Sequence, residues 1–267
     1  VKSIWVFGDS YAAPDLQSDW PARVGQGIGD PVRNYAISGG STEYAVRTLF
    51  GRINHIPDDD VVIFVASTLG RIHFEFQNQQ PHTSTWKDGS DLASLNDGPS
   101  QWFKDNRDHL RWYLTNQDLG LASITHFGYK TVLKNFAESR SGIVLFLENS
   151  NTNPPAELVN IPNNFINPKI FLNTISECEI INRSPYDEWV KHTVWDARIN
   201  HMTLPNLATL ANLVVNVINH PTAANIDAFQ YKEFRQDIMS IITSPKDFDF
   251  YVQNGYLHPD RLLRWHG

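Results

Sequence analysis

A chain of 267 residues with a formal net charge of −7 and a pI near 5.8 is long enough to bury a full core without cross-links. The acidic balance comes without any Lys/Arg-rich run, which removes the electrostatic footprint of a nucleic-acid binder. The single cysteine, Cys178, excludes a disulfide framework within the chain and reads as a small core or edge residue.

Residues 2 to 7 read as a charged start running into a buried strand, not as a basic leader, and no stretch of about 18 apolar residues occurs. A soluble protein is expected, with the compartment open and a cytoplasmic or virion-associated location ahead of a membrane one. Trp20 to Ile28 predicts a short helix entered through Pro21, and Gly25-Gln26-Gly27-Ile28-Gly29 reads as its terminator. Val32 to Ile37 predicts a second strand ending in Ser38-Gly39-Gly40-Ser41-Thr42, after which Tyr44, Ala45, Thr48 and Leu49 have helical spacing. Asp58-Asp59-Asp60 reads as a solvated turn, because consecutive carboxylates cannot converge on one ion without a special loop. The run Val61-Val62-Ile63-Phe64-Val65 is the clearest strand, of the kind covered on both faces.

Further strands are expected at Ile143 to Leu147 and Ile170 to Asn173. His109 through Phe136 predicts one long helix or two, with Leu110, Leu114, Leu121, Ile124, Val132 and Leu133 as the apolar face. Asn149 to Asn164, full of Asn and Pro, reads as a loop, and a last amphipathic helix starts near Leu204 or Pro205 and passes Val217. Strands alternating with helices imply βαβ units and a parallel sheet with helices on both sides. One main domain over 1–220 is expected, with a polar excursion at about 72–107, the kind of segment that often carries specificity. Residues 221–267 form a C-terminal extension that packs on the domain or projects from it. Trp86, Trp102, Trp112, Trp189 and Trp195 can form a sugar-stacking platform or be buried in a core or interface.

Sites in parallel sheets assemble at the carboxyl ends of strands, so Gly8-Asp9-Ser10, Ser38-Gly39-Gly40 and Ala66-Ser67-Thr68 are expected to meet at one rim. A serine just past a buried strand stands where a nucleophile is presented, with turn and helix N–H groups directed at developing negative charge. Asp9, beside it, is expected to hold the turn through backbone N–H groups and not to act as acid or base.

Phe7-Gly8-Asp9-Ser10-Tyr11 resembles the nucleophile block of the SGNH (GDSL) hydrolase superfamily, and Asn34-Tyr35-Ala36-Ile37-Ser38-Gly39-Gly40-Ser41-Thr42 resembles its glycine block. The resemblance covers roughly residues 1 to 70 and 195 to 220. It implies an α/β fold, a flavodoxin-like three-layer α/β/α sandwich with a parallel sheet, and Ser10 as nucleophile. The family's third block supplies an Asn to the oxyanion hole, whereas Thr68 aligns there in this chain, so the hole comprises the N–H groups of Ser10 and Gly39 with Thr68 Oγ1. Arg71 is a candidate for gripping a substrate carboxylate or phosphate, or else an ion-pairing surface arginine.

A serine hydroxyl needs a positioned imidazole to take its proton. His201 sits where the family's histidine block falls, just before the last helix. The Asp normally three residues earlier is Arg198 here, so Asp196 is the nearest carboxylate to orient the ring, and a Ser-His dyad is the alternative. His258, in a His-Pro pair, competes for the role of base.

The expected activity is hydrolysis of carboxylic esters, with an O-acetyl ester on a carbohydrate as the preferred substrate and no cofactor or metal. Acyl transfer to a sugar or alcohol uses the same residues. The rival reading is a non-enzymatic or weakly active SGNH-like structural or binding module such as a virion component, favoured by the altered third and histidine blocks. No nucleic-acid or membrane partner is expected; a homo-oligomer or virion assembly is compatible with the sequence.

Overall fold

Ile4–Phe7, Val61–Ala66 and Val144–Glu148 are buried at every position, as parallel strands covered on both faces must be. The computed structural model describes residues 2–9, 11–14, 19–37, 40–67, 118–149, 157–168, 170–172, 175, 202, 204–222 and 229–234. Among them, β1 (Ile4–Phe7), β2 (Val32–Asn34), β3 (Val61–Ala66), β4 (Val144–Glu148) and β5 (Phe165–Ile166) form one parallel sheet in the order β2-β1-β3-β4-β5. Ile4 stands opposite both Val32 and Val61, Val62 opposite Val144, and Val144 opposite Phe165.

Local chemistry fixes the helix ends. In α1 (Trp20–Ile28) the Asp19 side chain accepts from Ala22 N–H, and Gly29 ends the helix in the left-handed region at φ 85°, its N–H donating to the Gly25 carbonyl. The glycine-rich segment is therefore the terminator that its sequence suggests. Ser41 caps α2 (Thr42–Phe50), and the Asp118 carboxylate caps α3 (Leu119–Glu138) through Gly120 and Leu121. A fourth helix, α4, spans Leu204–Asn219.

Side-chain alternation along the strands divides the core in two. Ile4, Val6, Ile63, Val65, Leu145 and Leu147 join Trp20 and Val24 of α1 and Leu210, Val214 and Val217 of α4. Trp5, Phe7, Val62, Phe64, Val144 and Phe146 join Ala45 and Leu49 of α2 and Leu133 and Phe136 of α3. The chain is thus an α/β protein with helices on both faces of a parallel sheet, an arrangement compatible with a three-layer sandwich. Phe229 and Phe234 are buried in the first cluster, so the beginning of the expected extension contributes to the core.

Several elements differ from the sequence reading. Regular pairing of β2 stops at Asn34, where the Asn34 side chain accepts from Ala36 N–H, although Tyr35 and Ile37 N–H still donate to Val6 and Gly8 carbonyls. The fifth strand is Phe165–Ile166, and of the strand expected over Ile170 to Asn173 the described residues show the bridge between Phe171 and Glu148. In α3, Leu121 and Ile124 are 61% and 57% exposed and Val132 is exposed, while His126, Leu133, Phe136 and Ala137 face inward. Polar His126 and Lys130 have displaced the expected apolar stripe because a carboxylate of β4 lies beneath them. None of the helices is long and apolar enough to cross a membrane among the described residues.

The acidic turn before β3 is the largest correction. Asp60 is 2% exposed, and its carboxylate accepts the Ser3 N–H at 2.9 Å and the Trp5 indole N–H at 2.7 Å. Arg140 Nη2 donates to the Asp60 and Pro57 carbonyls at 2.6 and 2.9 Å. Burial lowers the Arg140 guanidinium from its ordinary value, with the Asp58, Asp60 and Asp59 charges acting in the opposite sense. Asn164 Nδ2 reaches the carbonyls of Ala137, Arg140 and Gly142, completing a latch across the amino end of the sheet. Gly142 is required here, since a Cβ would collide with the Asp60 carbonyl oxygen.

Asp60→Ala orphans two buried donors at about 1–3 kcal/mol each. Urea unfolding is therefore expected to show a loss of about 2–6 kcal/mol; a midpoint equal to wild type would show that the carboxylate is dispensable.

Candidate functional site

The strand order reverses between β1 and β3, and the carboxyl ends at such a reversal are the place where open α/β sheets bind ligands. Gly8, leaving β1, packs directly on Val65 of β3. A Cβ at Gly8 would lie 2.8 Å from Val65 Cβ and 2.9 Å from its carbonyl oxygen, so only glycine lets the two strand ends stay together. A Cβ on Gly40 would stand 3.0 Å from the Gly8 carbonyl oxygen, which brings the glycine-rich segment after β2 to the same end.

Asp9 is fully buried. Its Oδ1 accepts Tyr11 N–H at 3.0 Å and its carbonyl accepts Ala12 and Ala13 N–H at 3.0 and 2.9 Å, so the residue holds the turn through backbone donors as its position suggests. The turn is braced from outside. Trp20 Nε1 donates to the Tyr11 carbonyl at 2.6 Å, and Asn34 Nδ2 donates to the Ala12 carbonyl at 2.7 Å. From β3, Ser67 N–H donates to Thr42 Oγ1 at 3.0 Å, tying the strand end to the first turn of α2. From β4, Asn149 Nδ2 donates to Asp9 Oδ2 at 3.2 Å.

Ser10, Gly39, Thr68, Arg71, Asp196 and His201 all lie outside the described residues, as does His258. Cys178 and the tryptophans at 86, 102, 112, 189 and 195 lie outside them too. The described neighbours of the motifs do come together: Asp9 and Tyr11 on either side of Ser10 in sequence, Gly40 after Gly39, and Ser67 before Thr68. Met202, which follows His201 in sequence, is buried in the same cluster as Tyr11 and Ala12. Among the described residues no group of three or more His, Cys, Asp or Glu is placed to hold a metal ion.

Two polar features of this end escaped the sequence reading. Asn149 opens what reads as a loop, and its only signal is its place one residue past a strand. Glu148, the last residue of β4, is a buried carboxylate on the α3 side, with Lys130 Nζ at 2.9 Å and Asn167 Nδ2 at 3.1 Å. His126 Nε2 stands 3.5 Å from its Oε1, longer than a well-formed hydrogen bond but close enough to favour the charge. Burial pushes the Glu148 carboxyl up, and His126, the Lys130 charge and the hydrogen bonds from Lys130 and Asn167 outweigh it, bringing the group from its ordinary 4.5 to about 2.

Comparisons with protein-family models, curated proteins and solved structures return no match for this chain.

A carboxyl group held below its ordinary value stabilises the fold fully above that value, and the contribution disappears as pH falls through the folded-state one. For Glu148 the window runs from about pH 4.5 down to about 2, and the amount at stake is on the order of 3 kcal/mol. Glu148→Gln is expected to be less stable than wild type at pH 7, with the gap closing across this window in urea titrations. A gap independent of pH would refute the assignment.

Proposed function

We propose that the chain is a serine ester hydrolase of SGNH (GDSL) type on a flavodoxin-like three-layer sandwich. The observation that carries this reading is the convergence just described: the residues flanking the nucleophile, glycine and third blocks stand at one end of the sheet, beside the β1/β3 reversal. The order β2-β1-β3-β4-β5 is the flavodoxin-like order, which supports the architecture the motifs imply.

In the proposed reaction Ser10 Oγ attacks the acyl carbon while His201 takes its proton, with Asp196 orienting the imidazole. The N–H groups of Ser10 and Gly39 and Thr68 Oγ1 stabilise the oxyanion. Collapse of the tetrahedral intermediate breaks the ester C–O bond, and His201 returns the proton to the departing alcohol. Water then attacks the acyl-enzyme, releasing the carboxylic acid and restoring the Ser10 hydroxyl. The turn around Asp9 suits this role because Trp20, Asn34 and Asn149 already brace it, and a preorganised site needs little reorganisation at attack. The substrate favoured is a small O-acetyl ester on a carbohydrate, with Arg71 a candidate contact for an anionic group.

Ser10→Ala is expected to lower hydrolysis of p-nitrophenyl acetate by about 1,000-fold or more and to abolish labelling by a fluorophosphonate. If wild type is not labelled and the variant matches its hydrolysis, the chain is the non-enzymatic module that the altered third and histidine blocks allow, and the esterase reading is wrong.

A further inference from the structure

Asn149 carries an inference that deepens the proposed reaction and rests on it. Strands β1 and β4 are not neighbours, since β3 runs between them. Their ends are therefore two strand spacings apart, about 10 Å. Asn149 closes that gap: its backbone N–H donates to the Ala66 carbonyl of β3 at 3.0 Å, and its side chain reaches past β3 to Asp9 Oδ2 at 3.2 Å. Asp9 and Asn149 are both 0% exposed.

The Asp9 carboxylate consequently has two arms. One oxygen meets the amide of Asn149, and the other meets the Tyr11 N–H immediately after Ser10 in sequence. Displacing the first arm alters the second, because both belong to one rigid planar group.

The chemistry of Asn149 is poorly explained by packing alone. Among the described residues its Oδ1 is buried with no hydrogen-bond partner, and so is the Ser67 hydroxyl on the adjoining strand end. Half-satisfied buried polar groups are kept at a cost to stability, and an apolar residue would fill such a position more favourably. What an amide supplies, and an apolar residue cannot, is a neutral donor aimed at Asp9.

We propose that Asn149 is a positioning residue of the active site, which acts through Asp9 to fix the turn that presents Ser10. It does not touch substrate. Its effect is on the geometry of attack, where misplacement by about 1 Å is worth up to about 100-fold in rate.

The test measures the rate at which a fluorophosphonate labels Ser10, kcat and KM for p-nitrophenyl acetate, and the thermal midpoint, in four forms of the full chain beside wild type. Asn149→Ala removes the donor, and Asn149→Asp sets a second carboxylate against the first. Asp9→Asn combined with Asn149→Asp exchanges the two groups and again sets one donor against one acceptor. Ser10→Ala supplies the background.

Labelling and kcat are expected to fall about 10- to 100-fold in both single Asn149 variants, with KM within about 2-fold, and to recover at least in part in the exchange. Wild-type labelling in Asn149→Ala would overturn the inference while leaving the esterase reading intact. So would a loss that merely follows the folded fraction and does not recover in the exchange. If wild type and Ser10→Ala are equally inert, the esterase reading fails and takes this inference with it.

Discussion

The sheet is organised by a reversal. From β1 the chain moves outward to β2, returns past β1 to β3, and then continues in the opposite direction to β4 and β5. With right-handed crossovers, a change of direction puts the connecting helices on different faces, which matches α1 on one side and α2 and α3 on the other. Because β1 and β3 are adjacent yet their connections diverge, their carboxyl ends are not covered by a shared crossover. The close packing of Gly8 on Val65 holds the two strand ends together where the chain leaves β1.

Polar side chains tie the sheet at both ends, but they do so differently. At the amino end Asp60, Arg140 and Asn164 satisfy backbone carbonyls and N–H groups over short distances, a purely architectural arrangement. At the carboxyl end Trp20 of α1, Asn34 of β2 and Asn149 after β4 converge on the turn at Asp9, while Ser67 after β3 is tied to Thr42 of α2. Neither end is fully satisfied: among the described residues Arg140 Nε at the amino end, and Asn149 Oδ1 and Ser67 Oγ at the carboxyl end, are buried without a hydrogen-bond partner.

Much of the frame was legible because burial on two faces leaves an unmistakable pattern. The unbroken apolar runs of β1, β3 and β4 and the capped, glycine-terminated α1 could be read almost to the residue. β5 could not, since two residues in an Asn- and Pro-rich stretch have no periodicity to detect. Asp60 was hidden by its company: in an acidic run it looks solvated, and only the pairing of β1 with β3 brings the Trp5 indole to it. The misread face of α3 has the same origin, a long-range partner, Glu148, that outweighs local pattern. At the candidate site, Gly8 and Asp9 were readable through their motif. Asn149 was not, because a lone Asn acquires meaning only when the strand order places it across from β1.

The location of Glu148 also sets how the molecule responds to electrolyte. Dissolved ions screen charges over about 8 Å at physiological strength, but only where they can approach. Lys2 with Asp59 and Arg47 with Glu43 are exposed and open to them. Lys130 and Glu148 meet beneath α3 with side chains 14% and 8% exposed, where neither counterions nor water can easily intervene. Brine would silence the outer pairs and leave the inner one attracting, so tolerance of salinity and tolerance of acid are separate properties of this fold.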